Sequence, residues 1–320
     1  MRMRKPGFKS FVWLLLLTPL LAACAASLPS GCPPTCEQAN LLDKQFPNIN
    51  LAGARFTEGN LRKVGLTGAN LSLADLSGVN LGEANLSGAD LRGALLLGAN
   101  LRKANLGGAN LDGANLGGAD LTQAILVGAR LKGAFIDQTT FNGAVMDGMD
   151  LGGIYLDASD FVGTRLNAVN LANSSLRGDS LSGADLSGAV LEGANLAGTW
   201  LNLTSFSSAR LHGANLNGAM LYGADLSGAD LSSAQLRGTF LVGASLDGAN
   251  LHGADLDGAI LTYSEPLNLQ DAARDPTVAQ MNAKRRAAFA HDASLKGARY
   301  DTATRWPANF RIPNEAIPEQ

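Results

Sequence analysis

Three cysteines and three histidines are the soft ligands and nucleophiles of this 320-residue chain. Cys24, Cys32 and Cys36 all precede residue 37. Cys32 and Cys36 bracket Pro33-Pro34-Thr35, a spacing that suits a short disulfide or half of a metal site. A metal would need further ligands, and no histidine is nearby. Haem attachment is excluded, because Cys-x-x-Cys-His is absent. No Gly-rich phosphate loop follows a strand and opens a helix. This inventory contains no catalytic constellation and implies no cofactor.

The front of the chain decides which cysteine chemistry applies. Arg2, Arg4, Lys5 and Lys9 precede an apolar run from Phe11 to Leu21. A basic start, a short apolar core and small residues mark a secretory signal, too short for a stable membrane span. A Cys32–Cys36 disulfide is therefore expected, in an oxidising compartment. Leu21-Ala22-Ala23-Cys24 resembles the lipobox of bacterial lipoproteins. That resemblance implies cleavage after residue 23 and a lipid on Cys24, anchoring the protein to the cell envelope. The alternative is ordinary cleavage near Ala25 or Ala26 and a soluble periplasmic product.

The element that must position everything else is a five-residue beat. From Leu51 to Leu261 every fifth residue is Leu, Phe, Ile or Met, at 43 consecutive positions. Ala stands two residues earlier in 28 of the 43, so small side chains alternate with large ones. Steps of five would scatter the leucines around an α-helix, and would throw them onto alternate faces of a flat strand. A backbone that turns by a fixed angle each repeat buries them all on one axis. The frequent Gly two residues after the leucine, as at Gly53 and Gly68, suits the turn.

Exceptions to the pattern count the sides of a coil. The outward residue before the leucine turns apolar at Trp200, Met220, Phe240 and Ile260, in steps of 20. The small inward position turns polar at Thr139, Ser159, Asp179, Thr199 and Thr239, and these share the period of 20, with Ala219 as the gap. Four repeats per coil follow, stacked at about 4.8 Å.

Ala89-Asp90-Leu91 and Ala229-Asp230-Leu231 are typical units, and the whole run resembles the pentapeptide repeat family, A-(D/N)-L-x-x. The resemblance implies an all-β fold, a right-handed quadrilateral β-helix. The expected organisation is a signal peptide at 1–23, a tether and cap at 24–48, the solenoid at 49–262 and a C-terminal helix and capping segment at 263–320. Leu41, Leu42 and Phe46 would cover the first coil. Asp275-Pro276 reads as a helix start, with an apolar face from Val278, Met281 and Phe289. Leu295–Tyr300 resumes the repeat in a shifted frame, and Trp306 and Phe310 would close the open end.

Two columns are candidate sites. Asp179 would join a buried polar ladder with Thr139, Ser159 and Thr199, its carboxylate bonded by neighbouring hydroxyls. Trp200, Met220, Phe240 and Ile260, flanked by Tyr222 and Val242, would form an outward stripe. The C-terminal helix could cover that stripe, or it could bind an envelope protein, a second copy or a membrane surface. Residues 135–180 are the least regular stretch, with Met149 and Ile154 where Ala is usual, so a distorted coil is expected there. Flat faces over a filled core leave no room for a concave pocket. His212 and His252 would lie two coils apart, roughly 10 Å, too far for one metal.

Net charge is −3, and near −7 once the four cations of the signal are removed. Residues 133–264 carry four Lys/Arg against thirteen Asp/Glu, a net of −9. The family includes acidic rods that mimic DNA and bind DNA gyrase, conferring quinolone tolerance. That gives an alternative to the first expectation, a non-catalytic, lipid-anchored envelope scaffold. Export would separate the protein from gyrase, and the acids scatter over several columns. Direct nucleic-acid binding has little support, since Lys284-Arg285-Arg286 is the only basic cluster.

Overall fold

The computed structural model describes residues 28–29, 31–262, 292–308 and 310–319. The signal segment, Cys24, the 275–291 helix and Lys284-Arg285-Arg286 lie outside the described residues.

Every five-residue unit makes one side of a coil. The leucine carbonyl accepts the amide three residues on, as from Ala54 to Leu51 at 3.1 Å. The second of the two residues between them has positive φ, 65° at Gly53, as a type II turn demands. The residue before the leucine is Asn or Asp for a local reason. Its side chain accepts the amide two residues on, as from Gly82 to Asn80 Oδ1 at 3.1 Å.

Successive coils pair in parallel, each outward residue bridging the one 20 positions later, from Thr35↔Arg55 to Phe240↔Ile260. The solenoid therefore has four sides per coil. Its ladder starts at Thr35, inside the segment assigned to the tether. It also continues past residue 262, because Ser245, Asn250 and Asp255 bridge Ser294, Arg299 and Arg305. Leu295 and Ala298 enter the core in the shifted frame. Strand β1 (Arg299–Tyr300) then pairs in parallel with β2 (Ile317–Pro318), adding one more rung.

The core is a stack of leucines and alanines running the length of the rod. Phe141 and Phe161 stack in it with ring centroids 5.0 Å apart. At the front, Leu41 and Phe46 are buried, but Leu42 is 40% exposed, since it occupies a turn position.

The ladder has one break among the described residues. No bridge joins Arg130 to Asp150 or Phe135 to Tyr155, whereas Ile125↔Val145 and Thr140↔Asp160 close the gap on either side. Elsewhere such coil boundaries are sewn by regular main-chain bonds, apart from the Ser180 amide beside the buried Asp179. Those expected from the Leu131 and Ile136 amides to the Asp150 and Tyr155 carbonyls are missing, as are those from the Asp150 and Tyr155 amides to Ala129 and Ala134. Met149 and Ile154 occupy the small inward positions on these two sides. Extra methylenes in a filled cross-section push neighbouring backbones apart. The distortion is narrower than the sequence suggests, for the bridges resume at Thr140↔Asp160 and run without a gap to Phe240↔Ile260.

Candidate functional site

The break opens a cleft of about 700 Å³. Its floor is apolar: Leu131, Ala134, Ile136, Leu151 and Ile154. This corrects the expectation of pocket-free faces, because the two bulky inward residues hold the coils apart. Phe135 and Tyr155 flank the cleft and are 67% and 78% exposed. Asp137, Asp150, Asp157 and Lys132 lie on its rim. Asp150 accepts from the Gly152 amide and Asn170. Asp157 accepts from the Ser175 hydroxyl and the Arg177 amide. Among the described residues none of the three aspartates forms an ion pair.

The polar column is buried, yet it is not a side-chain ladder. Thr139 donates to the Leu116 carbonyl and Ser159 to the Ile136 carbonyl, each at 2.8 Å. Thr199 donates to the Leu196 carbonyl at 2.6 Å. Each hydroxyl is taken by a main-chain acceptor, which leaves none for Asp179. Asp179 instead accepts the Ser159 amide at 3.2 Å, and its Oδ2 has no partner. Burial pushes its carboxyl up to about 8; the Ser159 amide opposes this, and Asp157 and Asp160 add to it.

The apolar stripe is bridged in sequence, Trp200 to Met220 to Phe240 to Ile260. Much of it is enclosed. Trp200, Met220 and Phe240 are half-buried, and Tyr222 and Val242 are buried at 3% and 0% exposure. Tyr222 stacks on Phe240 at 5.7 Å, and with Val242, Leu203 and Met220 they form a second apolar cluster outside the main core. Aromatic bulk at adjacent turn and outward positions lets these side chains fold onto one another. Coverage by the 275–291 helix is a matter outside the described residues.

At the ends, Cys32 and Cys36 form a disulfide, with Cys32 packed against the core. Trp306 stacks on Phe310 at 5.5 Å and meets Tyr300 edge-on at 5.6 Å; all three pack against the core.

Surface carboxylates are mostly engaged. Asp112 pairs with Arg130, Asp147 with Arg165, Asp257 with Arg237 and Asp255 with Arg305, each across a coil boundary. Asp185 and Asp230 accept their own turn amides and hydroxyls, and these bonds hold both below the usual carboxylate range although burial opposes them. His212 Nδ1 lies 2.9 Å from the Ser232 hydroxyl, while His252 lies 2.8 Å from Glu319. Among the described residues no three His, Cys, Asp or Glu side chains are grouped to hold a metal ion.

Sequence reasoning missed the cleft residues Phe135, Tyr155, Asp137, Asp150 and Asp157. Their signal was present: Met149 and Ile154 stand in the inward columns next to them.

The sequence matches the family described as pentapeptide repeats, in eight copies over residues 69–108, 104–143, 150–188, 189–228 and 224–262. The chain is similar to the solved structure of HetL, a pentapeptide repeat protein involved in heterocyst differentiation regulation from the cyanobacterium Nostoc sp. strain PCC 7120. Identity is 30%, covering 87% of this chain and 94% of that one, with a TM-score of 0.34. It is also similar to alr5209, a pentapeptide repeat protein from Nostoc, at 31% identity over 42% of this chain and 84% of that one, TM-score 0.20. A third likeness is to QnrB1, a plasmid-mediated fluoroquinolone resistance protein, at 17% identity over 71% and 89%, TM-score 0.21. No curated protein matches the chain.

Proposed function

This chain belongs to the pentapeptide repeat family, and from that premise we propose that it is a non-catalytic, lipid-anchored envelope protein. Its β-solenoid, wound right-handed, is a rigid spacer and protein-interaction scaffold. Cys24 carries the lipid, the disulfide-bonded segment caps one end and the Trp306–Phe310 segment caps the other. The observation that carries the reading is the core: leucine and alanine dominate the cross-section of the described coils, so function is left to the faces. Function on this repeat must come from a site and not from the fold.

The net of −9 over residues 133–264 favours a second reading, a DNA-mimicking rod that binds gyrase. Against it, many carboxylates are tied to arginines or to their own turns, which leaves fewer to stand in for phosphates.

The test is the mass of the mature N-terminal peptide, paired with cell fractionation. A diacylated or triacylated Cys24 in the membrane fraction is the expected result. An intact Met1 on a cytosolic protein would overturn the envelope reading and make gyrase supercoiling the next assay.

A further inference from the structure

We propose that the cleft between the two parted coils is a docking site for an extended peptide that alternates apolar and basic side chains. The inference deepens the scaffold reading and rests on it only for the class of partner, a protein.

Four features converge. First, the Leu131, Ile136, Asp150 and Tyr155 amides and the Ala129, Ala134, Asp150 and Tyr155 carbonyls lack the coil-to-coil partners that the rest of the rod supplies. Opened strand edges are templates for another strand, so an extended main chain can add to one of them. Second, the floor is aliphatic and about 700 Å³ is available, within the usual range of binding pockets. Third, Asp137, Asp150 and Asp157 outnumber Lys132 on the rim, and no arginine among the described residues neutralises them. Elsewhere in the acidic half, Asp147, Glu192 and Asp257 have such partners. Fourth, the exposed rings of Phe135 and Tyr155 stand at the mouth, where a cation is attracted to a ring face. In an extended segment, alternate side chains point to opposite sides. One set would meet the apolar floor, and the other would meet the acidic, aromatic rim.

The experiment uses the full chain and a fluorescein-labelled, C-amidated Val-Lys-Val-Lys-Val peptide, read by fluorescence anisotropy. Saturable binding is expected, weakening with salt. The triple variant Asp137→Asn, Asp150→Asn, Asp157→Asn keeps the side-chain acceptors and should bind about tenfold more weakly. The pair Phe135→Ser and Tyr155→Ser, at exposed positions that leave the core untouched, should weaken binding likewise. The pair Met149→Ala and Ile154→Ala should close the seam and abolish binding; far-UV circular dichroism would check that each variant is folded. Equal binding of a Val-Glu-Val-Glu-Val peptide, no saturable binding, or affinity unchanged across folded variants would overturn the proposal. So would sedimentation showing that the cleft variants abolish self-association of the rod instead. Any of these leaves the anchor and scaffold reading to the mass and fractionation test.

Discussion

The Ser159 amide donates to Asp179 Oδ1 at 3.2 Å, from one coil to the next, within the buried column that also holds Thr139, Thr199 and Thr239. One hydrogen bond does not replace the hydration of a carboxylate, and Oδ2 has no partner. The neutral acid is thus the favoured form inside the fold, with its titration raised to about 8 from 3.8. The folded state binds the extra proton, so Asp179 contributes stability below pH 4. That contribution is lost as pH rises through about 8. Asp179→Asn should match wild type near pH 4 and exceed it increasingly up to pH 8–9, by on the order of a few kcal/mol. Chemical denaturation of both proteins across pH 4–9 checks this. Asp90, Asp120, Asp185 and Asp230, held low by their bonds, act in the opposite sense in both proteins and cancel in the difference. A constant gap would refute the assignment.

The turn chemistry predicts an inversion of the usual glycine rule. Ala158 sits at φ 66° in a position that glycine fills in most repeats. A left-handed Cβ costs roughly 1–2 kcal/mol, more than the chain entropy that glycine adds. Ala158→Gly should therefore raise stability by about 0.5 kcal/mol. Gly118→Ala, at φ 63° with open space around the new Cβ, should lower it by about 1 kcal/mol. Paired melting curves would separate the two signs.

How far these features were legible in the sequence follows from what fixes each one. The coil count came from exceptions such as Trp200 and Asp179, because identical neighbours 20 residues apart share one environment. The leucine column was legible because burial on a single axis is the only arrangement that satisfies a period of five. Met149 and Ile154 mark the place of the cleft in the sequence but not its opening. Composition flags excess volume, but whether a coil bends or parts from its neighbour depends on facing residues, here Ala129 and Ala134. Tyr222 and Val242 flank the stripe as their spacing implies, but their burial is not legible, because period and polarity assign a side, whereas enclosure depends on what packs over that side. Asp179's partner is not legible in the sequence, because the hydroxyls bond nearby carbonyls, a choice made by atomic geometry.

At the front of the rod, the Cys32–Cys36 bridge closes a loop four residues apart in sequence. Chain entropy for so short a loop limits its worth to about 2 kcal/mol. In a rod whose coils contact mainly their neighbours, that loss should stay local. Cys32→Ser with Cys36→Ser should speed amide exchange at Leu41 and Phe46 while leaving Leu91 and Leu231 unchanged. Uniformly faster exchange along the solenoid would show that the bridge supports the whole fold.

Val242 and Ile260 share one apolar face, yet Val242 is 0% exposed and Ile260 37%. If that face were an open partner surface, serine at either site would leave the isolated protein's stability nearly unchanged. The enclosure of Val242 with Tyr222 and Phe240 predicts otherwise. Removing a buried branched side chain forfeits roughly 1.5–3 kcal/mol of burial, with a further cost for the cavity. Val242→Ser should lower denaturation stability by about 2 kcal/mol, while Ile260→Ser should change it by less than about 0.5 kcal/mol. Equal, small effects with altered self-association would return the face to the interface reading. A large effect at Val242 alone would mark it as part of the fold's interior and leave the parted coils as the better place to look for a partner.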